Sequence, residues 1–329
     1  MLSKRGTRPG IDAYVCACFG FVTLWINALA VPVVAVDVGT WLLVVAVVCQ
    51  LGGTLLGKWV RFDACASLTA VGTIFLGLEY VTIGTIVFSL GYGMLYRRYL
   101  CSVWAPIRAA QYEFVGQILV SFVAIPIVYI HESYTALFLI AAVLLIIAGV
   151  CADTEMRPIE TMSGGYRVLI SYGMVCGGIG AFSLGGILLV DNDPSENYSP
   201  YQSVAIVVGA SLLGAFVGAI VSGIAGRYPE RLFKAGALTA SAIALLSLII
   251  NTIVGYCMMS AIFGFSTSVL IINSRAVCFS ASSAGYIFIQ KTADLIPPAL
   301  LYFGLTYRQL LQTAPSFLSI ALLVLPACI

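Results

Sequence analysis

The feature that most constrains this chain is a series of apolar runs, each about as long as a lipid bilayer is thick. Residues 134–151 contain no charged side chain, and Glu113 is the only charge in residues 109–130. A helix that crosses about 30 Å of hydrocarbon needs roughly 20 such residues. With 61% hydrophobic and 9% charged residues, the chain has too few polar groups to cover a water-soluble surface. The sequence therefore predicts an all-α integral membrane protein.

Charges and turn residues divide the chain into twelve candidate spans. One division rests on length: between Arg61 and Arg97 a single helix would be about 52 Å long, so we expect two short spans that turn at Glu79. A thin turn is also expected at Gly255 and Tyr256. The predicted spans are residues 11–36, 39–57, 62–78, 81–96, 109–130, 134–151, 168–190, 201–225, 233–254, 255–273, 276–296 and 309–327.

The distribution of basic residues orients these spans. If the N-terminus is cytoplasmic, nearly all lysines and arginines fall on the inner side, as expected for an inner or plasma membrane protein with both termini in the cytoplasm. Only Lys291 and Arg308 fall on or near the outer side. The first span is expected to stay uncleaved, although its basic start and the run Ala28 to Ala30 also suit a signal peptide. The inner set is Lys4, Arg5, Arg8, Lys58, Arg61, Arg97, Arg98, Arg108, Arg157, Arg167, Arg227, Arg231, Lys234 and Arg275.

A polar stretch at residues 152–167 separates two groups of six spans and is expected to be a cytoplasmic linker. The predicted domains are therefore residues 1–151, an N-terminal six-helix half, and residues 168–329, a C-terminal half. The loop after the second span and the loop after the eighth span repeat one pattern, as a duplicated unit would. The first loop contains Gly57, Lys58, Trp59, Arg61 and Phe62, and the second contains Gly226, Arg227, Tyr228, Arg231 and Phe233.

This arrangement resembles the major facilitator superfamily (MFS), whose signature turn places an aspartate, glycines and bases in these loops. Here Gly223, Arg227 and Arg231 match the signature, while Gly226 replaces the aspartate and Pro229 replaces a glycine. The resemblance implies two six-helix halves and secondary transport by alternating access. It also implies that these loops form a cytoplasmic gate, with Glu230 taking part of the role of the aspartate. The alternative is that the bases only set topology at the lipid headgroups.

Polar side chains within the apolar runs are the candidates for a substrate or coupling-ion site, because their burial is costly. Glu113, Gln117 and Ser121 share one helical face. A buried carboxylate at Glu113 suits a proton-coupling acid or a cation site, and the alternative is an interfacial ion pair with Arg108 or another base.

Gln290, Lys291 and Asp294 form a second group of candidates. Lys291 and Asp294 lie on neighbouring helix faces, and counting from Arg275 places Lys291 about 24 Å along a helix, near the outer boundary. An interfacial ion pair is therefore expected there, with an outer vestibule site as the alternative.

Further candidates follow from the resemblance, in which the first, fourth, seventh and tenth helices line the central cavity. They are Asn27, Tyr92, Tyr172, Tyr256 and Ser260, and Asn273 is a polar candidate at the end of the tenth span. Four-residue stripes of small residues on the seventh and eighth spans, such as Gly214 and Gly218, are expected to allow close helix packing.

The expected function is transport of a small, neutral or weakly charged molecule, with proton coupling possible and the bilayer as the main partner. The alternative is an MFS-like sensor domain of a regulator whose LuxR-type helix-turn-helix effector is absent or removed. An enzyme is not expected, because no nucleophile and base or metal constellation can be assembled around the single His131. The sequence predicts no cofactor, no metal and no nucleic acid partner.

Overall fold

The computed structural model describes residues 9–102, 106–152, 166–192, 198–225, 228–249, 252–277 and 283–324. These residues form twelve helical segments, and no strand occurs among them. The segments are numbered α1 to α12 in chain order. Helix α1 comprises Pro9–Phe21, a π-helical stretch Val22–Ala30 and Val31–Val38; α9 is Pro229–Leu246, continued by a 3₁₀ turn Ser247–Ile249; α11 comprises Ser283–Ala293 and Ile296–Tyr302. The others are α2 (Thr40–Leu56), α3 (Phe62–Gly77), α4 (Val81–Ser102), α5 (Pro106–His131), α6 (Thr135–Cys151), α7 (Tyr166–Asn192), α8 (Pro200–Ile224), α10 (Ile253–Val277) and α12 (Tyr307–Val324).

Several of these helices have the length and composition of membrane spans. Among the described residues, five stretches qualify, and three shorter apolar helices, α2, α3 and α6, have 16 or 17 residues. The chain is therefore a multi-pass membrane protein. The five stretches are Ala13–Val38, Ala109–His131, Leu169–Asn192, Pro200–Ile224 and Ile253–Arg275.

Helix boundaries follow local capping. The predicted turn at Glu79 is confirmed, and Glu79 adopts a left-handed conformation with φ 65° between α3 and α4. The turn expected at Gly255 and Tyr256 is wrong, because both residues lie inside α10. Helix α10 starts earlier because Thr252 accepts the Gly255 N–H through its hydroxyl, at 3.2 Å, and so caps the first turn.

The other end of α10 also differs from the prediction. The tenth span was expected to end at Asn273 and the eleventh to begin at Ala276, but α10 continues to Val277 and α11 begins at Ser283. Arg275 does not end the helix, because its charge is neutralised inside the bundle. This shift changes the depth of every side chain on α11.

The same helix pairings occur twice, six helices apart. In the first six helices α2 packs on α4, α3 on α4 and α6, and α1 on α5. In the last six, α8 packs on α10, α9 on α10 and α12, and α7 on α11. Across the two groups α5 contacts α8 and α10, and α2 contacts α11. A duplicated six-helix unit would give this pattern, and the division into two halves stays a prediction.

Glycines allow the closest of these pairings. A Cβ atom at Gly53 of α2 would overlap the Leu90 carbonyl of α4, and one at Gly93 of α4 would overlap the Gln50 carbonyl of α2. At the equivalent pairing, a Cβ atom at Gly214 of α8 would overlap the Ala261 carbonyl of α10. The close packing predicted for the glycine stripe of α8 is therefore present against α10.

Candidate functional site

Among the described residues, the most deeply buried ion pair joins α5 to α10. Arg275 Nη1 lies 2.6 Å from Glu113 Oε1, and Arg275 Nη2 lies 2.7 Å from Glu113 Oε2. Glu113 is 5% exposed and Arg275 3% exposed. The Tyr99 hydroxyl of α4 also donates to Glu113 Oε1, at 2.6 Å. The two hydrogen bonds of this pair offset the desolvation free energy of burying both charges. If either partner is removed, the other remains as a buried charge with no compensating partner.

This pair fits the alternative for Glu113 in that the carboxylate meets a base, and a role in proton coupling stays a prediction. The side chain is buried, and its basic partner is Arg275, while the side chain of Arg108 lies outside the described residues. Arg275 was expected at the inner surface and was not among the candidates. Its position within a hydrophobic stretch that also holds Asn273 and Ser274 is the sequence signal for its burial.

The second buried charge is Lys291 of α11, which is only 2% exposed. Its Nζ atom donates to Gln50 Oε1 of α2 and to Asp294 Oδ2, each at 3.1 Å. It also lies 4.6 Å from the ring centroid of Tyr96 and 5.1 Å from that of Tyr92. Two ring faces and two oxygens thus surround one ammonium group.

The expected Lys291–Asp294 pair is therefore present, but Lys291 is buried among helices and is not at an exposed interface. Lys291 lies eight residues, or about 12 Å, beyond Ser283, the first described residue of α11. Its contact with Gln50, in the second half of α2, places it within the bundle. Asp294 is its less buried partner, with a side chain that is 31% exposed.

Gln290 and Tyr172 extend the Lys291 surroundings toward α7. Gln290 Oε1 accepts the hydroxyl of Tyr172 at 3.0 Å and also accepts the hydroxyl of Tyr96. The ring of Tyr172 stacks on Tyr286, with centroids 4.5 Å apart. On the other side Gln50 Nε2 donates to Asn27 Oδ1 of α1, at 2.6 Å. The structure therefore brings Asn27, Tyr172, Gln290, Lys291 and Asp294 into one network.

Other candidates lie outside this network. Asn273 Nδ2 donates to Ser222 Oγ of α8 at 3.2 Å and to the carbonyl of Val269 at 2.7 Å, so it joins α10 to α8. Gln117 is buried on α5, where its carbonyl accepts the Ser121 hydroxyl. Tyr256 and Ser260 line a separate cavity of about 120 Å³.

A cluster of aromatic rings lies between the two charged groups. Phe19 of α1 stacks on Tyr99 with centroids 4.0 Å apart, and its centroid is 5.9 Å from that of Tyr92. Tyr99 contacts Glu113 and Tyr92 contacts Lys291. Sequence reasoning missed Tyr99, Tyr96 and Gln50, and the clustering of tyrosines in α4 is the one pattern that could have indicated them.

The predicted gate loops lie at the end of the bundle where α2 and α8 end, here named the basic end. Gly57 is buried, and a Cβ atom there would lie 2.8 Å from the Met94 carbonyl oxygen. Lys58 sits 5.7 Å from the ring centroid of Trp59, and Arg231 sits 5.2 Å from that of Tyr228. The opposite end, which holds Asp37, Glu79, Glu132 and Asp191, is named the acidic end.

Charges in these loops are mostly exposed. Arg61 pairs with Asp63 at 2.9 Å on the surface. Gly223, Glu230 and Arg231 are exposed, and Glu230 lies in the first turn of α9, where an acid is favoured by the helix dipole. Gly226 and Arg227 lie outside the described residues.

The functional groups of the two buried sites are charged side chains in ion pairs, amides and phenols. No group of three or more His, Cys, Asp or Glu within the described ranges could hold a metal ion. Both charged groups connect the first six helices to the last six, through α5 and α10 in one case and through α2 and α11 in the other. Such contacts can hold the bundle in one arrangement and can be broken by protonation or by a competing ligand.

Comparison with solved structures identifies the fold. The chain superposes on the in meso crystal structure of the POT family transporter PepTSo with a TM-score of 0.68 and 11% sequence identity, over 97% of this chain and 96% of that chain. At this sequence identity the likeness shows that the two chains share a fold, and it assigns no activity to this one. No protein-family model matches the sequence, and no curated protein matches it.

Proposed function

We propose that this chain is an MFS-like secondary transporter that moves a small, neutral or weakly charged molecule by alternating access. The two moving units would be residues 1–151 and 168–329, joined by a linker at residues 152–167. The observation that carries the proposal is the buried ion pair between Glu113 and Arg275, because it connects α5 of the first unit to α10 of the second.

The position of this pair supports a gating role. Glu113 lies about two turns from the first residue of α5, and Arg275 lies in the last turn of α10, so both are near the basic end. Protonation of Glu113 would remove its attraction for Arg275 and allow the two units to separate there. Glu113 is thereby the proposed coupling acid. The basic loops with Lys58, Arg61 and Arg231 would face the cytoplasm, as the positive-inside rule implies.

The proposed midplane site is the Lys291 network. Its amides, phenols and single ammonium group provide hydrogen bonds in several directions. If Asp294 moves away, the ammonium of Lys291 is the one unpaired charge in the network. Such a lining suits a neutral or weakly charged substrate more than a polyanion. In inverted-repeat transporters the site lies where the two units meet, and Lys291 with Gln50 occupies such a contact between α11 and α2.

The gating role predicts a pH-dependent distance at the basic end. Spin labels carried by non-natural amino acids at the exposed positions Trp59 and Tyr228 would report the separation of the two loops in lipid nanodiscs. We expect the population with a longer distance to increase as the pH falls from about 8 to about 4, because glutamate carboxylates generally take up protons near pH 4.3. Glu113→Gln should hold that longer distance at every pH.

A matched control and a second variant complete this experiment. Asp63→Asn makes the same chemical change in the exposed pair with Arg61 and should behave as the wild type. Glu113→Gln alone leaves Arg275 as an unpaired buried cation. The double variant Glu113→Gln with Arg275→Met removes both charges, so it shows whether the basic end opens when no unpaired cation is buried there. A distance that ignores both pH and Glu113→Gln would refute the gate.

Transport is tested in reconstituted vesicles with an imposed pH gradient and a panel of labelled neutral and weakly charged solutes. Accumulation of a solute should occur with the wild type and Asp63→Asn, and it should be lost with Glu113→Gln. A solute that accumulates equally with Glu113→Gln would remove Glu113 from the coupling mechanism.

A further inference from the structure

A cavity of about 120 Å³ lies between α1, α7, α8 and α10, in the part of the bundle nearer the acidic end. Its walls are mainly apolar, with Leu24 from α1, Phe182 from α7, Val208 from α8 and Met259 from α10. The cavity is distinct from the Lys291 network, which faces α2 and α4. Helix α1 separates the two, because Asn27 contacts Gln50 while the neighbouring Leu24 and Ala28 line the cavity.

Three serine hydroxyls in the cavity wall have no hydrogen bond within the part of the chain that the structure describes. They belong to Ser183, Ser211 and Ser260. A hydroxyl in an apolar helix normally donates to a carbonyl one turn earlier on the same helix. The other serines of α10 do so at 2.8 to 2.9 Å, namely Ser266, Ser268 and Ser274. The cavity therefore offers hydrogen-bonding groups that a bound molecule can use.

The charge of the wall limits the kind of molecule that fits. No charged side chain lines the cavity, and the two buried charged groups at Glu113 and Lys291 are not part of its wall. An ion placed there would lose its hydration without a compensating partner. A neutral molecule pays no such cost.

Size and wall chemistry limit the ligand further. The rings of Phe182 and Phe263, both in the wall, stack with centroids 3.7 Å apart and offer an aromatic surface. At about 120 Å³ the cavity is smaller than the cavity of about 150 Å³ that is known to accommodate one benzene molecule, so its size excludes a ligand with more than one ring. We propose that this cavity binds a neutral single-ring molecule carrying one or two hydroxyl groups. The cavity is a second site beside the Lys291 network, and the role of that network as the transport site rests on the proposed function.

Gly186 provides a variant that fills the cavity. It lies in the wall, and a Cβ atom built on it has no neighbour within 4 Å. Gly186→Leu should therefore occupy the space of the ligand without displacing the backbone. Gly52 of α2 also has no neighbour within 4 Å of a built Cβ atom, and it does not line the cavity. Gly52→Leu is thus the matched control.

The experiment measures binding of radiolabelled resorcinol to the full chain in lipid nanodiscs, with empty nanodiscs subtracted. We expect saturable binding of one molecule per chain in the wild type and in Gly52→Leu, and loss of that binding in Gly186→Leu. Ser260→Ala keeps the space and removes one hydroxyl, so it should weaken binding about fivefold. The charged analogues benzoate and benzylammonium should not compete.

Several results would overturn this assignment: no saturable binding, equal binding to Gly186→Leu and the wild type, or effective competition by the charged analogues. If Gly186→Leu does not fold, full-strength binding to Ser260→Ala overturns it instead. The measurement is made at equilibrium without a gradient, and Asp63→Asn, which does not line the cavity, should bind resorcinol as the wild type does. Resorcinol binding that persists while the pH-dependent opening is absent would refute transport and leave the cavity site intact.

Discussion

Arg275 and Lys291, the two buried cations among the described residues, have different surroundings. Arg275 meets both oxygens of Glu113, and both side chains are almost fully buried. Lys291 donates one hydrogen bond to the amide oxygen of Gln50 and another to the partly exposed Asp294. The side chain of Asp294 is partly exposed, so its carboxylate can gain new contacts when Lys291 is removed. The carboxylate of Glu113 is buried and cannot do so.

This difference predicts unequal costs of deleting the two cations. Arg275→Met should lower the free energy of unfolding by about 3–5 kcal/mol, because it strands a sealed carboxylate. Lys291→Met should cost about 1–2 kcal/mol, because the remaining carboxylate is accessible. Denaturant unfolding in mild detergent measures both values, and a larger loss for Lys291→Met would contradict the prediction.

At the scale of single residues, the sequence indicated some of the site. Glu113, Asn27, Gln290 and Lys291 could be predicted, since a polar side chain in an apolar run is costly and needs a partner. Their partners could not be predicted, because Arg275 is 162 residues from Glu113 and its contact depends on the packing of α5 against α10.

At the scale of helices, glycine contacts define rigid pairs. Gly53 and Gly93 bring α2 and α4 together at backbone contact, and Gly214 and Gly264 do the same for α8 and α10, since a Cβ atom at Gly264 would overlap the Ser211 carbonyl. Without a hydrophobic effect between helices in lipid, such close approach supplies much of the association. We expect each pair to move as one body.

The glycine pairs predict opposite effects of the same substitution. Gly214→Ala should destabilise the protein by more than about 1 kcal/mol, because its methyl group meets backbone atoms that cannot move away. Gly52→Ala should be neutral or stabilising by up to about 1 kcal/mol, because alanine is the better helix former and the space is open. Thermal unfolding midpoints of the two variants check this, and similar midpoints would show that α8 can shift.

Helix number was readable from the sequence, but helix ends were less so. The spans of α2, α3 and α6 lie within a residue or two of their predicted bounds. The predicted start of α11 was wrong because a charged residue, Arg275, was assumed to lie at the surface. Once burial neutralises such a charge, it no longer marks a boundary.

For the whole molecule, the basic and acidic ends define an orientation. Trp59, at the basic end, and Tyr80, at the acidic end, are both exposed and sit in turns on opposite ends of α3. If the basic end is cytoplasmic, single cysteines at these positions should differ in access.

This orientation is tested with a membrane-impermeant maleimide on intact cells, in a chain whose native cysteines have been replaced. Tyr80→Cys should be labelled in intact cells, and Trp59→Cys only after the membrane is permeabilised. The reverse pattern would invert the topology. Labelling of both sites from outside would contradict the assignment of α3 as a membrane span.

The π-helical stretch Val22–Ala30 has a consequence for how distant parts of the molecule communicate. This stretch carries Asn27, which contacts Gln50, and also Leu24, Ala28 and Leu29, which line the cavity. If this stretch changed to ordinary α-helical hydrogen bonding, the hydrogen-bond pattern of α1 would shift by one residue. The part of α1 that follows would then rotate by about 100° about the helix axis. A cavity ligand that favours one register would therefore make or break the Asn27–Gln50 bond. Rotation of α1 would then couple ligand binding in the cavity to the hydrogen bonds around Lys291.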